Sequence, residues 1–469
     1  MRKALIAVCL LFVLGVGGIA AVHADVNGVK DQVVITEKVL YGDKAHTQGL
    51  HLRVRTHLNG HLHWDTAYVA GDQPRTSTQF RFTDGYEYPY NSHEPQGLIL
   101  GGWDDIPSPD WDRAASVEEL SGMDIAYWNL FQETPAGEER EKRVLWEDYY
   151  DYYPLNPGMD LYHFFMDSNF YAGRRQDEFY EEKERVRAAL QKFLKIPVLP
   201  GEALDISVSK GPSGSITGWG SGTSSGDRYG FGTWNAVTED ALYFALDGAS
   251  REGRLMDFSH VPGGYGIYRL PYEAGVDGWI GVEEENLSMV YPLEQSMEIV
   301  WFTVTPDDSR LLMMGVEDGI CRLRVIRRSD MTTLQTLDLY RVTEDLRPWG
   351  ESCHEGYVLL RTSQSLILLE EEGDGRYRTA IDIPVEDSDR VLAGIQDTCW
   401  DGERLAVISE YESWEDGGPC AFTVGVFSAD GELFGAKYTS SLDTGGYEYY
   451  GNDNCTLWGQ EALEVFWQQ

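Results

Sequence analysis

The stretch Val300–Leu339, VWFTVTPDDSRLLMMGVEDGICRLRVIRRSDMTTLQTLDL, constrains this chain more than any other. A polar turn, Thr305–Arg310, runs into an apolar strand over Leu311–Met314. The Glu-Asp-Gly turn at Glu317–Gly319 leads to a second strand, Cys321–Ile326. Arg327–Met331 turn again, and Thr333–Leu339 make a third. Strands this short, joined by turns this tight, pair antiparallel with their immediate neighbours. A small sheet of that kind cannot shelter its own apolar faces, so it needs similar sheets beside it.

The phrase recurs. Polar turns run into apolar strands at Asp240–Phe244, Ser309–Met313, Gly356–Leu360, Glu403–Val407 and Glu461–Val465. From Leu311 to Leu359 and on to Leu405 the steps are 48 and 46 residues, near the ~40–50-residue period of four-stranded propeller blades. Asp-Gly pairs at Asp247, Asp277, Asp318, Asp374, Asp401, Asp416 and Asp430 supply tight connections. Glu351-Ser352-Cys353, Asp397-Thr398-Cys399 and Asp453-Asn454-Cys455 repeat one pattern just ahead of strands, which reads these cysteines as small packing residues. The expected fold is mainly β. A C-terminal β-propeller-like domain over 203–469, with five to seven blades, is preceded by an N-terminal β-rich domain over 25–175 and a linking helix over 176–197.

In the N-terminal part, Gln32–Leu40 predicts a first strand and Leu50–Val69, LHLRVRTHLNGHLHWDTAYV, a hairpin. Asn59-Gly60 alone favours a two-residue turn, which pairs Leu58 with His61 and mixes polar with apolar faces. Pairing Leu58 with Leu62 gathers Leu52, Val54, Trp64 and Tyr68 on one face and His51, Arg53, Arg55, His57, His63 and Asp65 on the other. Burial outweighs turn chemistry here, because a register slip flips every side chain. A third strand is expected over Thr76–Phe82. Arg143–Tyr153 reads as an aromatic-rich strand, and Gly211–Gly226 as a Gly/Ser loop that lacks the Lys of a phosphate cradle. Gln176–Leu194 is a helix, with Val186, Ala189, Leu190, Phe193 and Leu194 on one face and Ile196-Pro197 ending it.

The segment TPDDSRLL, residues 305–312, resembles the turn-plus-strand phrase of extracytoplasmic β-propeller repeat proteins of bacteria. The resemblance covers roughly the last 260 residues and is one of architecture. GLHLRVRTHLNGHLHWDTAY, residues 49–68, is similar to regions of exported bacterial proteins of an uncharacterised family, so no catalytic residue is implied. Ser225–Trp234 resembles the S-x-D-x-G-x-T-W turn of sialidase-type propellers, with extra residues between the Asp and the Trp. That turn is structural where it matches.

Arg2 and Lys3 precede an uncharged run, Ala4–Val22, and Val22-His23-Ala24 places small residues where a signal peptidase reads. Residues 1–24 are therefore read as a signal peptide or a membrane anchor. Five cysteines follow, with no CxxC pair and no zinc-like spacing. A net charge of −39 repels nucleic acid and anionic lipid, so neither is expected as a partner, and membrane contact is expected only through the N-terminal segment.

Site candidates are few. His57 and His63 oppose each other across the hairpin beside Asp65, and two imidazoles with a carboxylate are donors for a divalent metal. The alternative is a plain exposed face, with Arg55 opposite Asp65. Acidic runs such as Glu283–Glu285 and Glu370–Glu372 do not stand out among 77 acidic residues. Tyr149–Tyr153 with Trp146 make either a carbohydrate or peptide platform or a strand alternating between core and surface. There is no HExxH. The expected protein is extracytoplasmic, secreted or attached to the membrane by an uncleaved N-terminal segment. It is expected to be non-catalytic, without a cofactor, and to bind a protein, peptide or carbohydrate. The alternative is a secreted glycan-acting hydrolase with carboxylates in the propeller funnel.

Overall fold

In the computed structural model, the residues described are 2–58, 62–83, 98–101, 118, 120, 122–154, 156–159, 176–223, 233–250, 253–274, 280–343, 348–385, 389–392, 394–410, 421–442 and 458–468. The strand pattern of 300–339 is present. Glu298–Val304, Arg310–Glu317, Ile320–Arg327 and Thr332–Arg341 pair consecutively in one antiparallel sheet, so a fourth strand lies ahead of the Thr305 turn. Asp318 and Gly319 have φ of 51° and 73°, the two left-handed residues that the mirror-image hairpin turn requires.

A buried threonine starts the strand in three sheets. The Thr305 hydroxyl accepts the Arg310 N–H at 3.1 Å, Thr238 accepts that of Ala241 at 3.1 Å, and Thr362 accepts that of Ser365 at 2.8 Å. Each satisfies a backbone donor that the turn leaves outside the ladder. The strands that follow, Ala241–Leu246, Arg310–Glu317 and Ser365–Glu371, are buried along most or all of their length, which is why they read as apolar runs without alternation.

Four further sheets have four or five strands, antiparallel wherever a register is defined. One orders Thr233–Val237, Ala241–Leu246, Gly266–Ala274 and Ile280–Val282, with Ser288–Pro292 also on the third strand. The next orders Pro348–His354, Tyr357–Thr362, Ser365–Glu371 and Tyr377–Pro384. Another runs from Ile395–Trp400 through Leu405–Glu410, Ala421–Ser428 and Gly431–Ser440 to Ile35–Gly42. The last orders Trp458–Trp467, Leu50–Leu58, Leu62–Val69 and Arg75–Phe82. The protein is thus mainly β, and its repeated four-stranded sheets are compatible with a propeller-like fold.

The chain divides into two compact units, one of Met1–Ser92, Leu359–Glu370 and Arg378–Gln469, the other of His93–Val358 and Glu371–Tyr377. Both 25–175 and 203–469 contribute to each unit. In the first unit the hairpin has the register Leu58↔Leu62, and its first strand pairs along its whole length with Trp458–Trp467. Leu50, Leu52, Val54 and Tyr68 pack there with Phe422, Val424, Tyr438, Leu463 and Val465. The Trp467 indole donates to the Cys399 carbonyl at 3.2 Å, and the Arg404 guanidinium lies 3.9 Å from the Trp467 ring centroid.

In the second unit, helix Gln176–Phe193 buries Val186 and Leu190, with Leu194 just beyond it, in one cluster with helix Met123–Glu133 and with Leu242, Phe244 and Tyr268. A sheet of Glu139–Leu145, Ala203–Lys210 and Ile216–Thr223 shares that core. Two expectations change here. The strand expected over Arg143–Tyr153 ends at Leu145, because the chain turns into a short 3-10 helix, Trp146–Asp148, which seats Trp146 in the core. The Gly/Ser stretch expected as a loop holds the strand Ile216–Thr223: its alternate glycines 218, 220 and 222 face Ser209, Ser207 and Asp205, and pairing with Ala203–Lys210 satisfies its backbone.

Candidate functional site

The histidine pair lies in the first unit. His57 and His63 are cross-strand partners, and Asp65 sits opposite Arg55. Both Asp65 oxygens are taken by Arg53, whose Nε donates at 2.8 Å and whose Nη2 donates to the other oxygen. That pairing holds the Asp65 carboxyl below the usual range. Arg55 pairs instead with Glu464 on the neighbouring strand. The His63 ring is buried rather than on an open face, and its Nε2 lies 3.1 Å from the Thr83 hydroxyl. Among the described residues, no three His, Cys, Asp or Glu side chains gather in a metal-holding arrangement.

The aromatic run is mostly core. Trp146 and Tyr153 are buried, and the Tyr150 hydroxyl accepts the Met123 N–H at 2.8 Å. Cys321 is buried, and burial pushes its thiol up to about 11. Ser225–Gly232, Cys420 and Cys455 lie outside the described residues.

Among the described residues, a groove of about 810 Å³ lies in the second unit. Turns of three sheets build it: Asp240 from one; Asp307–Arg310 and Arg327–Met331 from the next; Glu371, Asp374 and Gly375 from the third. Tyr243, Val290, Met331 and Leu334 supply an apolar wall, and Arg269, Arg310, Arg327 and Arg328 supply four cations. Four arginines in one groove are conspicuous in a chain of net charge −39.

The charges interlock. Asp240 receives Arg269 at 2.8 Å and also Arg328. Arg328 reaches the Asp308 carboxylate at 3.1 Å, and its Nε donates to the Asp308 carbonyl at 2.7 Å. Arg310, with its side chain only 9 % exposed, binds Glu371 at 2.7 Å. Burial alone lifts the Asp240 carboxyl, but hydrogen bonds from Thr238, Arg269 and Arg328 outweigh it and leave it below the usual range. Burial likewise opposes ionisation of Asp307, yet bonds from Ser309 and Thr305 bring it down to about 2. Asp308 goes the other way, lifted by burial. Arg327 is the open member: its side chain is 48 % exposed and touches Asp330 at 3.2 Å.

Among the described residues, three that are not glycine have positive φ, and two of them line this groove: Asp308 at 60° and Met331 at 54°. Aspartate tolerates that region, whereas methionine does so at a cost of roughly 1–2 kcal/mol. Sequence reading missed the groove because its parts come from turns far apart in the chain. The signal that was present is the repeated Thr-x-Asp of Thr238/Asp240 and Thr305/Asp307, in which the Thr hydroxyl donates to the Asp at 2.9 Å and 2.5 Å.

No protein-family model matches the chain, and no curated protein matches it significantly. Among solved structures, a protein from Lactobacillus plantarum is similar at 12 % identity over 56 % of this chain and 67 % of that one, with a TM-score of 0.25. A putative 6-phosphogluconolactonase from Bacteroides fragilis is similar at 10 % identity over 82 % and 79 %, with a TM-score of 0.24. The Swd1 β-propeller domain of Myceliophteria thermophila is similar at 8 % identity over 51 % and 84 %, with a TM-score of 0.23. Likeness at this level carries no argument about what the chain does.

Proposed function

We propose that this is a non-catalytic binding protein of the extracytoplasmic space, and that its ligand is a short peptide segment carrying both charges. The observation that carries the reading is the groove's lining: an apolar wall of Tyr243, Val290, Met331 and Leu334 beside alternating Arg and Asp. An extended peptide presents apolar and charged side chains together, and a thioether such as Met331 adapts to varied surfaces. The strained Met331 backbone supports the same reading, since strain of this kind concentrates where a site needs a fixed shape. Hydrolysis of glycans has less support. Asp240 and Glu371 are held by arginines, Asp374 lies 3.6 Å from Arg376, and Asp307 is kept ionised by its own turn; Asp308 is lifted by burial but is itself bound by Arg328, whereas a glycosidase needs one carboxyl free to act as an acid.

Selection of a displayed random-peptide library on the full chain, followed by calorimetry, tests the reading. Enriched peptides should lose at least about tenfold in affinity to Arg327→Glu and to Met331→Ala. Peptides that bind wild type and both variants alike would place the site elsewhere.

A further inference from the structure

The N-terminal helix carries an inference that is independent of the groove. It runs without a break from Arg2 to Lys30 and so passes straight through the Val22-His23-Ala24 tripeptide. Beyond that point it is docked on the protein. The His23 ring lies 5.4 Å from the Phe80 ring, and Val26 and Val33, at 8 % and 7 % exposure, are buried in a cluster with Trp64 and Leu442. No slack follows. Val34 and Ser441 exchange hydrogen bonds at 2.8 Å, and the first strand begins at Ile35.

Ahead of the docked turns the helix is bare from residue 12 to 22. Phe12, Leu14 and Ile19 are 72 %, 70 % and 73 % exposed, and no described part of the first unit covers them. The uncharged run Ala4–Val22 is 19 residues long, which at ~1.5 Å per residue is about 28 Å, close to the ~30 Å hydrocarbon core of a bilayer. Cleaved export signals have apolar cores of only ~7–15 residues. Proteases also take their substrates from exposed, irregular segments rather than from packed helices. Next to the docked turns, Phe82 is 52 % exposed and packs edge-on against Phe80, while Val29 and Val34 are 43 % and 49 % exposed. Exposed Phe and Val side chains at the foot of a spanning helix bury favourably at the headgroup–acyl boundary.

We propose that Arg2–Lys30 is retained in the mature protein as a single-span anchor, and that the Phe80–Phe82 corner rests on the headgroup layer of a lipid bilayer. Arg2 and Lys3 stay on the cytoplasmic side, which puts both folded units outside. The strongly acidic surface keeps the rest of the protein off anionic lipid, so contact is confined to the collar.

The test expresses the full chain in a bacterium with a working export pathway and compares wild type with Ala24→Phe, which blocks signal peptidase. Wild type should remain in the carbonate-washed membrane pellet, with an intact mass that includes residues 2–24, and Ala24→Phe should change neither result. A wild-type chain that begins at Asp25, or that moves from the soluble fraction to the pellet only in Ala24→Phe, overturns the anchor. In lipid nanodiscs, amide exchange over 75–83 should be several-fold slower in wild type than in Phe82→Asp, and slower in wild-type nanodiscs than in detergent. Equal rates in either comparison overturn the collar.

Discussion

The carboxylate of Asp397 accepts the backbone N–H of Val465 at 2.8 Å, across 68 residues of sequence. Val465 lies on the strand Trp458–Trp467 that completes the hairpin's sheet. Burial lifts the Asp397 carboxyl above its usual range, and the bond from Val465 works against that lift. Asp397→Ala leaves a half-buried N–H without its partner and should cost about 1–3 kcal/mol, whereas Asp397→Asn keeps an acceptor and should cost less. Denaturant melts of both variants, scored by the unfolding midpoint of the first unit, decide it.

Glu351 sets a pH dependence. Burial lifts its carboxyl from the ordinary 4.5 to about 7, and its charge helps push up the nearby Cys321 thiol and Tyr340 hydroxyl. The folded state therefore holds this proton more tightly than the unfolded one. The stability it contributes is fully present below the unfolded value and is lost as pH rises through about 7. Glu351→Gln should match wild type in acid and exceed it at pH 8.5 by about 1–2 kcal/mol, a figure reduced for the partial access of water. Thermal melts between pH 4 and 9 should show wild type falling away from a flat variant.

Arg310 joins two turns of the groove through Glu371 at 2.7 Å and Asp307 at 3.5 Å, with Tyr377 beneath it. Arg310→Ala removes the cation that Glu371 binds and should cost about 2–3 kcal/mol. Arg310→Lys should recover little of that, since an ammonium cannot reproduce the planar fork. Chemical denaturation of the two variants side by side measures the difference.

Gly42 has a φ of 77°, and a Cβ there would lie 2.1 Å from the Leu433 carbonyl oxygen. Gly137, at a φ of 79°, faces open space. Gly137→Ala should cost only the left-handed conformation, about 1 kcal/mol. Gly42→Ala must also move the facing strand, and should cost more than about 2 kcal/mol. Equal losses would mean that the approach to Leu433 relaxes freely.

What the sequence made legible was local. The turn-and-strand phrase at 300–339, the Leu58↔Leu62 register and the helix ending near Leu194 all follow from neighbours a few residues apart. The pairing of Leu50–Leu58 with Trp458–Trp467 left no such mark, because burial on a strand does not say which distant strand covers it. Trp146 misled for a related reason: an aromatic run looks like a strand, and only the surrounding core shows that the backbone turns to deliver it. The histidine pair was placed correctly in the ladder, but the partner that occupies Asp65 is Arg53, one diagonal step from the expected Arg55. The groove's arginines went unnoticed because each lies in a different turn and is ordinary by itself.

The hairpin's wait for its last strand affects how the protein is made. Arg55 and Glu464, bonded in the finished sheet, are separated by 409 residues. At ~5–20 residues per second of synthesis, the hairpin emerges roughly 20–80 s before the strand that will close it. For that interval an apolar ribbon with an open edge stands ready to stick to any other nascent chain. Sheltering this edge during the interval keeps the nascent chain from aggregating, and slowing synthesis anywhere between the hairpin and its closing strand should raise aggregation, whereas slowing it ahead of the hairpin should not.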